Sequence, residues 1–163
     1  MIQLREYKES DANRLVELAD NRAVSRFLVD TFPCPYTLED AHWWIQTGRL
    51  VGITRVIELN GEFVGSLGAE LGLREKRRQY GIGYWLGEPY WGKGITTKAL
   101  RLFADELFQT TDVERLQAWV YADNIASIRV LEKAGFAKDA LLRNALYKHG
   151  RLFDEGIYSR LRS

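Results

Sequence analysis

With 163 residues, 46% of them hydrophobic and 28% charged, the chain has the makeup of one globular domain, 1–163, with room for a core, and not of a disordered segment. A formal net charge of +1 argues against nucleic-acid binding by bulk electrostatics, so no DNA partner is expected. The only cysteine, Cys34, excludes an intrachain disulfide, which suits a reducing compartment. Between Pro33 and Pro35, it reads as a small packed hydrophobe and not as a nucleophile. The opening Met1-Ile-Gln-Leu-Arg-Glu-Tyr-Lys-Glu9 is too charged for a signal peptide, and no apolar run approaches membrane-spanning length. A soluble cytoplasmic protein is the expectation.

In chain order, Ile2–Tyr7 alternates as a first strand, and Ser10-Asp-Ala-Asn13 opens a helix with Leu15, Leu18 and Ala19 on its apolar face. A short helical piece is expected over Arg22–Leu28, then a loop through Tyr36. Thr37 and Asp40 form a capping-box start for a helix carrying Ala41, Trp44 and Ile45. Strands Ile53–Leu59 and Glu62–Leu71 meet at Asn60-Gly61, a type I′ hairpin signal because both turn residues need positive φ. A charged turn, Arg74-Glu-Lys-Arg-Arg78, leads to a strand over Gln79–Leu86. A glycine-containing turn and a helix to about Gln109 follow. Leu116–Tyr121 reads as a strand and Asn124–Ala134 as a helix that Gly135 ends. Two last strands, Leu141–Lys148 and Arg151–Ser159, cross a His149-Gly150 turn. This order of early hairpin and central βαβ unit predicts an α/β (α+β) sandwich on one mostly antiparallel sheet.

The chemistry concentrates in Gly81-Ile-Gly-Tyr-Trp-Leu-Gly-Glu-Pro-Tyr-Trp-Gly-Lys-Gly-Ile-Thr-Thr97. A strand entering a turn with Gly92 and Gly94 and then a helix makes an anion site. The first helical N–H groups lack partners, the macrodipole is positive there, and glycines let a phosphate approach the backbone. Gly87-x-x-x-x-Gly92-Lys93 satisfies most of a nucleotide P-loop, but Gly94 stands where Ser or Thr must hold magnesium. The nucleotide reading fails on that residue. A plain structural turn is the alternative to a phosphate site.

Tyr84-Trp-Leu-Gly-Glu-Pro-Tyr-Trp-Gly-Lys-Gly-Ile-Thr-Thr-Lys-Ala99 resembles the coenzyme-binding motif of the GNAT N-acetyltransferases, in particular the branch of the ribosomal-protein acetyltransferases RimJ and RimL. Three further blocks share the resemblance in the family's order, so that it spans nearly the whole chain. They are Leu4 to Ala12 through Pro35 to Ala41, Asp123 to Phe136, and the tail from Gly150-Arg-Leu-Phe-Asp154 to Tyr158. The resemblance implies a GNAT-type three-layer sandwich, a central mixed sheet flanked by helices, in which strands 79–86 and 116–121 splay apart. It implies acetyl-CoA as co-substrate and no metal. Backbone groups of Trp85, Leu86 and Gly87 would hold the pantetheine arm. The N–H groups of Trp91, Gly92, Lys93, Gly94, Ile95, Thr96 and Thr97 would bind the pyrophosphate. Asn124 would touch the arm, as well as or instead of capping its helix.

By the same resemblance the Leu86 N–H polarises the thioester, and Ser127 donates to the departing thiolate, unless it is merely a solvent-facing helix serine. Ser127 stands one helical turn after Asn124, on the same face. Many relatives carry a glutamate base where this chain has Gly81, and Pro89 is a second departure. The missing bulk at Gly81 and Gly83 is expected to widen the acceptor pocket. Glu70, Asp154 and His149 are the substitute bases to consider, through water if need be. Trp43, Trp44, Phe32, Tyr36 and Tyr147 are candidate pocket walls. The acceptor is expected to be a primary amine, a protein N-terminus or a small molecule, and the protein a monomer or homodimer. Two other functions stay open: a coenzyme-binding regulatory domain without catalysis, and an RNA-associated module using Lys76, Arg77 and Arg78.

Overall fold

The computed structural model describes residues 1–163. Strands β1 (Ile2–Arg5), β2 (Ile53–Leu59), β3 (Glu62–Leu71), β4 (Gln79–Leu86), β5 (Arg115–Tyr121), β6 (Ala137–Lys148) and β7 (Arg151–Leu161) form one sheet, in the order β1-β2-β3-β4-β5-β7-β6. Helices α1 (Ala12–Ala19), α2 (Arg22–Ser25) and α3 (Leu38–Gln46) precede the hairpin, while α4 (Ile95–Thr110) and α5 (Ile125–Lys133) flank β5 in sequence. Every pairing is antiparallel except β4 with β5. That parallel pair needs a crossover, which α4 supplies. No helix is long and apolar enough to cross a membrane.

Side-chain alternation divides the sheet into two faces. Leu67, Ala69, Tyr80, Ile82, Leu86, Leu116, Ala118 and Val120 point to α4 and α5, where Leu100, Phe103, Leu107 and Leu131 complete the larger core. On the other face Val56 and Phe63 meet Leu15, Leu18, Ala41 and Ile45 of α1 and α3, with Tyr7 and Tyr36 between them. The result is the expected sandwich of helices, sheet and helices.

Local signals placed most boundaries. Asn60 (φ 50°) and Gly61 (φ 87°) both take positive φ, as the type I′ turn requires, and His149 and Gly150 repeat the pattern between β6 and β7. Thr37 and Asp40 form the reciprocal capping box of α3.

Long-range contacts moved three boundaries. The first strand ends at Arg5, not Tyr7: Tyr7 turns into the α1/α3 core and its hydroxyl meets Ser66 Oγ at 2.6 Å. Helix α2 stops at Ser25, short of Leu28. Lys148 of β6 holds that terminus, its ammonium bonded to the carbonyl oxygens of Ser25 (3.3 Å) and Leu28. Strand β6 begins at Ala137, four residues before the expected Leu141, because Asp139 is anchored by Ser159 (2.6 Å) and Arg115 (2.6 Å). Cys34, expected to be packed, is exposed.

Strands β3 and β4 run closely together at Gly65, where an added Cβ would lie 2.4 Å from the carbonyl oxygen of Trp85 and 3.0 Å from Leu86 Cα. Gly65→Ala therefore forces β4 away at its C-terminal end. The expected loss is about 1–3 kcal/mol, seen as a lower urea midpoint with an unchanged denaturant slope.

Candidate active site

Strands β4 and β5 pair only through Gln79–Arg115, Tyr80–Leu116 and Gly81–Gln117, although both continue for several residues. Beyond Gly81 they part, and a gap opens inside the sheet. The Gly87 N–H donates to the Val64 carbonyl (2.8 Å), which sets the phase of the β3–β4 ladder. In an antiparallel ladder, residues alternate between facing the partner and facing away. Trp85 and Gly87 therefore turn their backbone groups to β3, while Tyr84 and Leu86 turn theirs to the gap. This corrects the expectation that Trp85, Leu86 and Gly87 jointly present their main chain to a ligand: of those residues only Leu86 does, and Tyr84 joins it. The Leu86 carbonyl meanwhile accepts the Trp91 indole N–H at 2.7 Å.

The glycine loop continues from this edge. Gly92 (φ 74°) and Gly94 (φ 75°) both sit in the left-handed region, Gly94 as the N-cap of α4, and an added Cβ at either would meet nothing within 4 Å. Side-chain-free space lies over the loop. The helix ladder begins with Lys98 N–H to Gly94 C=O (3.2 Å), so Gly92, Lys93, Gly94, Ile95, Thr96 and Thr97 have N–H groups with no acceptor in the chain. Trp91 does not belong to that array, because its N–H is bonded to Glu88 C=O (3.1 Å). Lys98, Arg101 and Lys133 join Gly94 and Thr97 around the adjoining depression, and none of these three cations has an ion-pair partner. Arg101 is pinned there by the Lys133 carbonyl at 3.0 Å. Free amides, a helix N-terminus and unpaired cations make a polyanion site. Sequence reasoning missed the cations, which come together only when α5 packs beside α4.

Across the gap, Asn124 caps α5 by accepting the Ser127 N–H at 3.3 Å. The Ser127 hydroxyl is half-buried and lies 2.6 Å from the Tyr84 hydroxyl. Burial pushes Tyr84 up to about 12, despite the opposing bond from Ser127, so the phenol keeps its proton throughout the neutral range. Tyr84 was visible in the sequence only as a strand residue, since its partner is forty-odd positions away.

The opposite face of the gap departs further from expectation. An added Cβ at Gly81 would lie 2.8 Å from the Trp119 ring, so the indole fills the space that the missing side chain was expected to open. At Gly83 an added Cβ meets nothing within 4 Å, and the opening is there. Asp154 caps the Asn144 N–H (2.9 Å) and His149 bonds the Arg26 carbonyl (3.2 Å), so both are tied into structure. Glu70 is exposed opposite Gly81. Of the expected walls, Tyr36 and Trp44 belong to the α1/α3 core, Phe32 packs between Tyr36 and Trp85, and Trp43 and Tyr147 are exposed.

A sheet opened beside an amide array for a polyanion, with a protonated hydroxyl pair bridging β4 and α5, suits a transferase that uses an acyl-coenzyme A thioester. Comparison with known proteins agrees. The model of the family described as "Acetyltransferase (GNAT) domain" matches residues 2–137. The uncharacterized N-acetyltransferase YoaA of Bacillus subtilis is 29% identical over 163 residues, covering 96% of this chain and 90% of that one. The structure of RimL, a ribosomal L7/L12 alpha-N-protein acetyltransferase in complex with coenzyme A, superposes with TM-score 0.87 at 24% identity, covering 98% of this chain and 93% of that one. That of the microcin C7 self immunity acetyltransferase MccE, in complex with acetyl-CoA and AMP, superposes at 0.83 with 20% identity, covering 99% and 92%. The chain belongs to the GNAT acetyltransferase family. It is a RimJ/RimL-like member, an acetyl-CoA-dependent N-acetyltransferase that passes an acetyl group to an amine.

Replacing Gly92 and Gly94 together by valine puts branched side chains at positive φ and over the free amides. Calorimetric titration should show acetyl-CoA binding weakened at least about tenfold, or about 1.4 kcal/mol. The far-ultraviolet circular dichroism should keep its wild-type shape.

Proposed function

We propose that the 163 residues act as one cytoplasmic N-acetyltransferase domain whose acceptor, a protein N-terminal α-amine or a small-molecule primary amine, enters over Gly83 on the α1/α3 face. The acetyl thioester lies in the β4–β5 gap. The observation that carries this reading is the three-pair limit of that ladder, which leaves the Tyr84 and Leu86 main chain facing a gap that leads into the free amides of the glycine loop. An extended ligand arm can use those groups as another strand would. Leu86 N–H then stabilises charge on the thioester oxygen, the service of an oxyanion hole. Holding both reactants in one geometry supplies much of the rate, up to roughly 7–11 kcal/mol in good cases.

The departing thiolate accepts a hydrogen bond from the Tyr84–Ser127 pair, where Ser127 faces the gap and both hydroxyls keep their protons. Asn124 fixes Ser127 by capping α5 and touches the arm. Lys98, Arg101 and Lys133 add charge to the Gly92 to Thr97 amides around the phosphates. Support for a protein acceptor comes from the similarity to a putative ribosomal N-acetyltransferase, YdaF of Bacillus subtilis, 30% identical over 120 residues.

Thiol release from acetyl-CoA over a panel of peptides and small amines tests the reading. Direct attack in a ternary complex predicts intersecting double-reciprocal lines; parallel lines would show an acetyl-enzyme and overturn direct attack. Coenzyme binding with no thiol release on any amine would instead make the chain a coenzyme-binding regulatory domain.

For Tyr84→Phe, kcat should fall about tenfold or more while the affinity for acetyl-CoA stays within about threefold, because only an interaction of the transition state is removed. Ser127→Ala should behave alike, and the double variant should cost no more than the worse single one.

A further inference from the structure

Gly81 leaves β4 without a carboxylate, and the remaining acids near the site are tied up or exposed, with one exception. Glu155 lies on β7 opposite Tyr121, the last residue of β5. The Ala122 N–H bonds the Asp154 carbonyl (2.9 Å), which makes Tyr121–Glu155 the close, non-hydrogen-bonded kind of pair, with side chains on one face. That face is the acceptor face, because Trp119, two residues back on β5, reaches across it to Gly81. Continuing the Gly81–Gln117 register sets Trp119 level with Gly83 and Tyr121 level with Trp85. Glu155 thus stands one strand spacing, about 5 Å, behind the far wall of the gap, level with Trp85 and two residues along from the opening over Gly83.

Its surroundings suit a base. The cross-strand neighbours are Tyr121 and Leu142, and the neighbours along β7 on the same face are Phe153 and Ile157. No hydrogen bond or ion pair engages its carboxylate. The charged groups of this corner are spent elsewhere. Asp30, after α2, lies 3.8 Å from Lys148 of β6, and Arg151 of β7 covers the Phe153 ring (4.0 Å) and bonds Asp123 (2.8 Å). Phe27, also after α2, packs on Tyr121 with centroids 5.3 Å apart.

Building on the transferase function proposed above, we propose that Glu155 is the proton acceptor for the incoming ammonium, reached through one water over the Tyr121 ring. One amine N–H bond breaks, one carboxyl O–H bond forms, and the electron pair left on nitrogen attacks the thioester carbonyl. The C–N bond forms, the C–S bond breaks, the second proton lost by nitrogen passes to the departing sulfur, and the proton on Glu155 is released to solvent. Desolvation alone raises the affinity of Glu155 for a proton, in the direction that makes its carboxylate a better base at neutral pH. The same loss of hydration, with Asp30 and Glu155 nearby, keeps the Tyr121 phenol protonated.

Glu155→Gln keeps the shape of the side chain and removes its basicity. With an amine that the wild type acetylates, kcat/KM at neutral pH should fall about 10²–10⁴-fold. The deficit should shrink as pH rises and more of the amine arrives neutral. Acetyl-CoA affinity by calorimetry should stay within about twofold, and Glu155→Asp should recover part of the rate. A Glu155→Gln enzyme with an unchanged pH profile and kcat/KM within about threefold of wild type would overturn the assignment and leave the transferase function standing. Loss of the pH dependence in Glu70→Gln instead would do the same. A wild type that releases no thiol with any amine would overturn both.

Discussion

The structure depends on a ladder that stops early. Backbone N–H and C=O groups inside a sheet are costly to leave unpaired, yet β4 turns those of Tyr84 and Leu86 to a gap that β5 has left. Side chains hold the gap. Tyr84 spans from β4 to Ser127 on α5, and the Trp91 indole covers the Leu86 carbonyl. Because α4 is the crossover between the two strands, its N-terminus falls beside the same opening. One interruption of pairing therefore supplies an unfilled strand position, a free amide array and a hydroxyl pair within one region of the fold.

The two faces of the sheet then divide the work. The face under α4 and α5 carries Leu86, Tyr84 and Ser127, and the amides and cations that suit phosphates lie at its end. The face under α1 and α3 carries Gly83, Trp119, Tyr121 and Glu155, and it is mostly aromatic and glycine. Gly81 shapes the second face. With no side chain there, Trp119 of β5 comes across, and a residue of the far strand becomes part of the floor beside β4. A basic group cannot occupy that place while the indole does, so a carboxylate from a different strand is the one left unengaged.

Much of this was legible in the sequence because the signals are local. The glycines of the loop, the Asn124 cap, the Thr37 capping box and both positive-φ hairpin turns are decided within a few residues. What was not legible depends on register. Which backbone groups of β4 face the gap follows from the pairing of Gly87 with Val64, so an expectation of Trp85, Leu86 and Gly87 together could not be sorted into inward and outward groups. The Trp91 N–H looked free until the short turn at Glu88 claimed it. Tyr84 with Ser127, Trp119 with Gly81 and Glu155 with Tyr121 are contacts between distant segments. The start of β6 was hidden for a related reason: Lys138 and Asp139 look like a turn until Ser159 and Arg115 take up the aspartate.

The outer edge of the sheet has a consequence for solubility. Strand β6 is twelve residues long and ends the sheet with no neighbour beyond it, while the opposite edge, β1, is only four residues. Leu141 and Leu142 are exposed on β6, and a long edge strand of this kind is a template for the addition of another chain. The slip in register between Leu142 and Leu146, with Asn144 at φ 53° and its N–H held by Asp154, breaks that edge into two short runs. Lys138, Asp139, Arg143 and Lys148 place a charge in each run. The same aspartate that looked like a candidate base thus serves as a guard against edge-to-edge aggregation, keeping a long, leucine-bearing strand from growing into a larger sheet.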